Sequence, residues 1–284
     1  METHFVPTGA GPDIPIHWTE AGQGGEPLFA VLGALGTPAA FYGRLASALA
    51  ERGWSSAVVE QRGLGESAVR PSREADWDFT DVVGTDLPAA LAWVRERAGG
   101  RPVHLLGHSL GGHYAQMVAG LRPEMFDGLV LPACGSPWTE AYDGPTRAQI
   151  SQLVEVIPAL SEQHGYYPGS QVGFGGDEAS GVMADWRHLA LTNRYRFAGD
   201  DAALVPAIAA YDGPVLAIRM ADDAFAPEAA VRACTDRFSA TTPEVRVLTA
   251  EQIGAAADHF GWAKQPGAVV EAIATWLGQG AAER

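Results

Sequence analysis

The stretch Arg101-Pro102-Val103-His104-Leu105-Leu106-Gly107-His108-Ser109-Leu110-Gly111-Gly112 limits what this chain can fold into more than any other. Val103 to Leu106 is a short apolar run bounded by Pro102 and Gly107, which predicts a buried strand. From Gly112 onward Tyr114, Met117, Val118 and Leu121 recur at helical spacing, with small residues between them. A strand that becomes a helix through Gly-His-Ser-Leu-Gly leaves almost no residues for a turn, so the Ser109 side chain is forced out at the tip. Side chains at Gly107 and Gly111 would collide where the two backbones approach, which is the steric reason for glycine at both. The result is a hydroxyl beside a helix start, where unpaired amides, that of Leu110 among them, and the positive end of the dipole can stabilise an oxyanion.

The rest of the chain reads as alternation around this turn. Residues 3 to 19 predict an antiparallel hairpin, Gly22 to Pro27 a loop, and Leu28 to Leu32, Ser56 to Glu60, Gly128 to Leu131, Pro214 to Ile218 and Glu244 to Leu248 further strands. Helical stripes lie between them, at Tyr42 to Arg52, Asp81 to Val94 and Glu228 to Phe238, with a terminal helix through Val269, Ile273 and Leu277. Strand and helix in alternation mean parallel pairing with crossover helices, and hence an α/β sheet covered on both faces. At 284 residues and 47% hydrophobic content, the chain is long enough for one large domain of this kind. Between Pro137 and about Tyr211 the alternation stops. Gln149 to Leu160 and Met183 to Leu191 have helical spacing, and His164 to Gly176 between them is rich in glycine and aromatic residues.

Gly107-His108-Ser109-Leu110-Gly111, set between strand and helix, resembles the G-x-S-x-G nucleophile elbow of the α/β-hydrolase family. Glu60-Gln61-Arg62-Gly63-Leu64-Gly65-Glu66-Ser67 looks like that family's Asp-x-Arg-Gly-x-Gly-x-Ser loop with Glu60 in place of Asp, a fold marker whose Arg and acid are expected to hold the turn. Asp258-His259-Phe260-Gly261-Trp262 resembles the Gly-His-Phe-Gly-Phe of a bacterial branch of predicted α/β-hydrolases. Trp186-Arg187 with Asn193-Arg194-Tyr195-Arg196-Phe197 is similar to a pattern of the same branch.

The resemblance implies an α/β-hydrolase fold, a mostly parallel central sheet flanked by helices with an inserted helical cap. Residues 1–136 and 212–284 would form the core and 137–211 the cap, a lid over Ser109. It also implies a catalytic triad in the order Ser109, Asp223, His259. Asp223 stands four residues before Pro227, with Asp222 as the alternative, and His259 falls in the loop after the last strand. Gly33-Ala34-Leu35-Gly36 occupies the place of the family's His-Gly-x-Gly loop. Leu35 is the expected second oxyanion amide, beside that of Leu110, with Ala34 its neighbouring alternative. His108 would border the site without reaching the hydroxyl. The insert is rich in aromatic residues, most of which are expected to pack; Trp138, Tyr142 and Trp186, together with Ala34 and His108, are expected to line a substrate pocket.

This triad would attack an ester, thioester or lactone of a small, largely apolar molecule through an acyl-serine. It needs no metal and no organic cofactor. The same residues also serve acyl transfer, cyclisation or carbon-carbon chemistry, and a binding module can retain the fold without turnover. A formal charge of -15 with no basic patch disfavours nucleic acid and anionic membranes as partners. No apolar run approaches a membrane span and the first residues carry no export signal, so a cytoplasmic location is expected. The two cysteines, Cys134 and Cys234, predict no disulfide framework and no zinc-type cluster, and each reads as a small core residue. His4, His17, His104, His113, His164 and His188 read as structural or surface residues, and oligomeric state is not encoded in any feature of the sequence.

Overall fold

The structure is a computed structural model that describes residues 1–22 and 25–282. Eight strands form one sheet: β1 (Glu2–Val6), β2 (Ile14–Thr19), β3 (Gly25–Leu32), β4 (Trp54–Val59), β5 (Val103–Gly107), β6 (Gly128–Pro132), β7 (Val215–Met220) and β8 (Glu244–Leu248). Their spatial order is β1-β2-β4-β3-β5-β6-β7-β8. β2 pairs antiparallel with both β1 and β4, and the other neighbours are parallel. Residues 23–24 of the expected Gly22 to Pro27 loop lie outside the described residues, and β3 begins at Gly25 rather than Leu28.

Both faces of the sheet are buried. Along β3, Leu28, Ala30 and Leu32 join one apolar cluster while Phe29 and Val31 join the other, as the period-2 geometry of a strand dictates. The helices that cover these faces include α1 (Gly43–Glu51), α2 (Leu87–Ala98), α3 (Leu110–Leu121), and later in the chain a helix at Glu228–Thr235 and one at Gly267–Ala282. The stripe expected as one helix from Asp81 is broken in its first part. A π-turn at Val82–Asp86 precedes α2. Pro88 has no N–H for the carbonyl of Gly84 and its ring pushes that carbonyl away, so the chain widens one turn earlier.

The marker loop after β4 is held differently from the simple turn expected. Glu60 accepts from the Ala39 amide at 2.9 Å and does pack into its own turn, but Arg62 reaches out to Asp86 in a bidentate pair of 2.6 Å bonds. That pair locks the loop to the π-turn.

Between β6 and β7 the chain leaves the sheet. It forms long helices at Gly144–His164 (α4) and Ser180–Thr192 (α5), which pack on each other, and a short one at Val205–Ala209. The glycine-rich segment between α4 and α5 is a small antiparallel ladder, Tyr167–Pro168 with Asp177–Glu178, rather than an open loop. Buried Asp185 on α5 anchors this insertion, accepting from the Phe79 amide at 3.0 Å and from Arg196 at 2.8 Å. No helix among the described residues is long and apolar enough to cross a membrane.

Candidate active site

The turn between β5 and α3 has the tight geometry its glycines require. A Cβ at Gly107 would stand 2.5 Å from the Gly111 carbonyl oxygen, and one at Gly111 would stand 2.2 Å from that of Leu32. Ser109 itself sits at φ 52 and ψ -115, a conformation that a non-glycine residue holds only when its surroundings enforce it. Here the enforcement is the packing of α3 onto β3 and β5, and its consequence is a hydroxyl raised above the strand ends.

His259 arrives from the loop after β8 and Asp223 from the loop after β7. His259 Nε2 lies 2.9 Å from Ser109 Oγ, and His259 Nδ1 lies 2.8 Å from Asp223 Oδ2. The other carboxylate oxygen of Asp223 accepts from the amides of Phe225 at 2.8 Å and Ala226 at 3.1 Å. Asp223 is thus an acceptor on both sides, so the network assigns the His259 proton to Nδ1 and leaves Nε2 to accept from the serine hydroxyl. Asp222 is exposed, and its amide donates to the Ala257 carbonyl.

Leu110 is the first residue of α3, where an amide has no partner within the helix. Leu35 and Ala34 line the cavity beside Ser109, but the two amides differ: the Ala34 N–H already donates to Tyr42 Oη at 2.8 Å. The Tyr42 hydroxyl in turn lies 2.8 Å from His108 Nδ1, and His108 Nε2 lies 2.8 Å from the His259 carbonyl oxygen. A single proton arrangement satisfies the chain, with Tyr42 donating to His108 and His108 donating to His259. His108 therefore does not border the cavity as expected from sequence. It is fully buried behind His259, where burial first and the charge of His259 second push its pKa well down, and it props the loop that carries the imidazole.

The cavity has a volume of about 150 Å³ and its walls are mainly apolar. Tyr142 and Trp186, both expected from sequence, line it together with Ile150, Phe174 and Phe225. Trp186 meets Phe174 edge to face at 5.1 Å between ring centres. Trp138 does not line it. Pro137 faces the cavity and the following side chain points the other way, into a separate recess beside Asn193 and Arg237.

Sequence reasoning missed Phe225, although it stands two residues after the acid, and Ile150, for which no local signal exists. It also missed His113, which lines the cavity and whose sequence context reads as an ordinary helix interior. The two cysteines, expected as separate core residues without a ligand cluster, instead converge with His113; their three ligand atoms all lie within 4.8 Å of one another.

This sheet order, elbow and hydrogen-bonded serine, histidine and aspartate define the class: the chain has the α/β-hydrolase fold. Residues 29–168 match the family described as serine aminopeptidase, S33. Human Protein ABHD12B is 29% identical over an alignment of 166 residues that covers 55% of this chain. The match spans 43% of that protein, less than half its length. Among solved structures, a thermophilic esterase from Thermogutta terrifontis superposes with a TM-score of 0.65 at 20% identity, over 98% of this chain and 99% of that one. Est1E from Butyrivibrio proteoclasticus, solved with ferulic acid bound, gives 0.65 at 12% identity, over 97% and 98% of the two chains.

Proposed function

We propose that this protein is a serine hydrolase that cleaves an ester, thioester or lactone of a small, largely apolar carboxylic acid. The observation that carries this reading is the unbroken chain Ser109 Oγ to His259 Nε2 at 2.9 Å and His259 Nδ1 to Asp223 at 2.8 Å, opening onto an apolar cavity. A serine hydroxyl is a weak nucleophile until its proton is taken during attack. His259 takes it, Asp223 holds the ring in the required tautomer and stabilises the imidazolium, and the Leu110 and Leu35 amides receive the charge that develops on the carbonyl oxygen.

Collapse of that intermediate breaks the bond to the alcohol or thiol, which leaves with the proton from His259. Water, deprotonated by the same imidazole, then releases the acid from Ser109. Residues 137–211 serve as the cap of this site, closing it with Ile150, Phe174 and Trp186. An apolar cavity of about 150 Å³ matches one known to hold a benzene ring. The acyl group that fits is therefore of ring size, a benzoyl or a short branched chain.

The test is a fluorophosphonate probe followed by intact mass. One adduct on the wild type and none on Ser109→Ala is the expected result; a folded wild type that takes no adduct between mildly acidic and mildly alkaline pH would overturn the proposal. A panel of p-nitrophenyl esters then reads acyl size, with benzoate and butyrate expected above laurate.

A further inference from the structure

Beneath the cavity lies a polar cluster that acyl hydrolysis does not use. Cys134 follows β6, Cys234 lies on the helix Glu228–Thr235, and His113 lies on α3. Both cysteines are reduced and buried, with their sulfurs within 4.8 Å of each other. Arg237 reaches into the same cluster. Its guanidinium donates to Tyr195 Oη at 3.0 Å, to Gln116 Oε1 at 3.2 Å, to Ser136 Oγ at 3.4 Å and to Asn193, and it lies over the Tyr195 ring at 4.5 Å. Every acceptor of these bonds is neutral. An arginine cannot shed its charge, and a charge held among neutral partners draws an anion to it. Inside the cluster, Cys234 is a group able to become one. Burial alone pushes that thiol up, but the hydrogen bond from Cys134 and the charges of His113 and Arg237 outweigh burial and hold it well below the ordinary range.

We propose that Cys134 and Cys234 form a peroxide-sensitive pair that closes to a disulfide, and that closure reshapes the acyl cavity. The recess lined by Tyr195, Asn193 and Arg237, about 430 Å³ in volume, brings a small peroxide to the guanidinium. The Cys234 thiolate attacks one peroxide oxygen; an S–O bond forms, the O–O bond breaks, and hydroxide departs. Cys234 is oxidised to the sulfenic acid and the peroxide is reduced. Cys134 then attacks the Cys234 sulfur, its proton leaves with the sulfenic hydroxyl as water, and the S–S bond forms.

Closure draws the two sulfurs to about 2.05 Å. Cys134 is not free to move alone, because it is wedged against the first turn of α3; a Cβ on Gly112 would meet its sulfur at 2.5 Å. His113, the next residue, both lines the cavity and is bonded at 2.8 Å to the Tyr195 hydroxyl that Arg237 holds. The disulfide also removes the anion beside Arg237, so reduction by a thiol, which restores that anion to the guanidinium, is favoured. Both ring nitrogens of His113 already have partners, Tyr195 and the Gly135 carbonyl, which speaks against a resident metal ion at the same three residues.

The effect on the cavity rests on the acyl-hydrolase reading, whereas the chemistry of the sulfurs does not, so the test separates the two. Purified protein is exposed to a small excess of hydrogen peroxide, denatured, alkylated with N-ethylmaleimide and weighed intact. The expected product has lost two hydrogens and takes no maleimide. Cys134→Ser should stop at a Cys234 sulfenic acid that dimedone traps, and Cys234→Ser should leave Cys134 untouched. Two maleimide adducts on the peroxide-treated wild type, or a zinc ion that survives dialysis of the untreated protein, would overturn the thiol pair. In the second arm, hydrolysis of p-nitrophenyl benzoate falls several-fold on oxidation and returns with dithiothreitol, while Cys134→Ser keeps its rate. An unchanged rate in the fully oxidised protein overturns the coupling to the cavity and leaves the acyl-hydrolase reading standing.

Discussion

The two halves of the site are built in different ways. Ser109 and Asp223 stand in tight loops directly after β5 and β7, and His259 in the loop that follows β8 and the short helix Ala250–Ile253, each strand fixed by a ladder of backbone hydrogen bonds. Ile150, Phe174 and Trp186, facing them across the cavity, come from an insertion held to the sheet by apolar packing and a few polar ties, such as Asp185 to Phe79 and Tyr142 to the Phe225 carbonyl. A proton relay needs distances fixed to a few tenths of an ångström, and a sheet supplies them. An acyl pocket needs shape alone. The difference predicts that changes in the first half abolish the reaction, whereas changes in the second redirect it.

The largest expected effect is loss of the relay. Ser109→Ala or His259→Ala should lower kcat by about 10⁴ to 10⁶, the range set by removing one member of a unit that acts together. Asp223→Asn should cost about 10⁴, because it favours the wrong imidazole tautomer. Asp222→Asn, altering an exposed side chain one residue away, should stay close to the wild-type rate. Hydrolysis of p-nitrophenyl benzoate by the four folded variants checks the set, and a dead Asp222→Asn beside an active Asp223→Asn would transfer the role of the acid.

The same division decides what could be read from sequence. The elbow announces itself because steric demand writes glycines at fixed spacing around Ser109, and strand periodicity places the loops of Asp223 and His259 in order. The insertion has no such rule. Packing of α4 on α5 decides that Ile150 and Trp186 face the cavity, and a turn at Pro137 sends Trp138 away from it. His108 sits in the elbow motif itself, yet its bonds are to Tyr42 and the His259 carbonyl, partners that no local pattern pairs. The convergence of His113, Cys134 and Cys234 was equally hidden, since three separate elements must fold before the sulfurs meet.

A change confined to the insertion should move preference rather than abolish rate. Trp186 is buried and braces Phe174, so Trp186→Ala opens the cavity and removes one wall. Filling or losing a methylene-sized volume is worth about 1 to 3 kcal/mol, so the ratio of kcat/KM for octanoate over benzoate should rise on the order of 10 to 100-fold. The variant should also lose about 3 kcal/mol of stability, as large-to-small changes of buried aromatics do, which urea unfolding measures. A proportional fall for both esters would show that Trp186 positions the relay, and would erase the distinction between the two halves.

The smallest effect lies at the seam where the halves touch. Glu178, buried in the insertion, accepts from the Gly176 amide at 2.9 Å and also from the amide of Gly36, the residue after Leu35 in the predicted oxyanion loop. The loops are so close that a Cβ on Gly36 would lie 2.1 Å from the Gly176 nitrogen. Burial pushes the Glu178 carboxyl up to about 7, with the charge of Asp177 adding to it and the two amides opposing it. Tyr167 and Tyr114 also face it, and both are neutral across this range because burial raises their hydroxyls. A carboxyl with a raised native pKa binds more protons folded than unfolded, so its contribution is complete below the ordinary glutamate value and fades as pH climbs through 7. The loss amounts to about 3 kcal/mol at most. Glu178→Gln keeps an acceptor for both amides and removes the titration, so the variant should match the wild type at pH near 5 and exceed it at pH near 8. Urea midpoints at the two pH values give the answer. A wild type that gains stability relative to the variant with rising pH would mean that the charged carboxylate, rather than the neutral acid, clasps the insertion to the sheet.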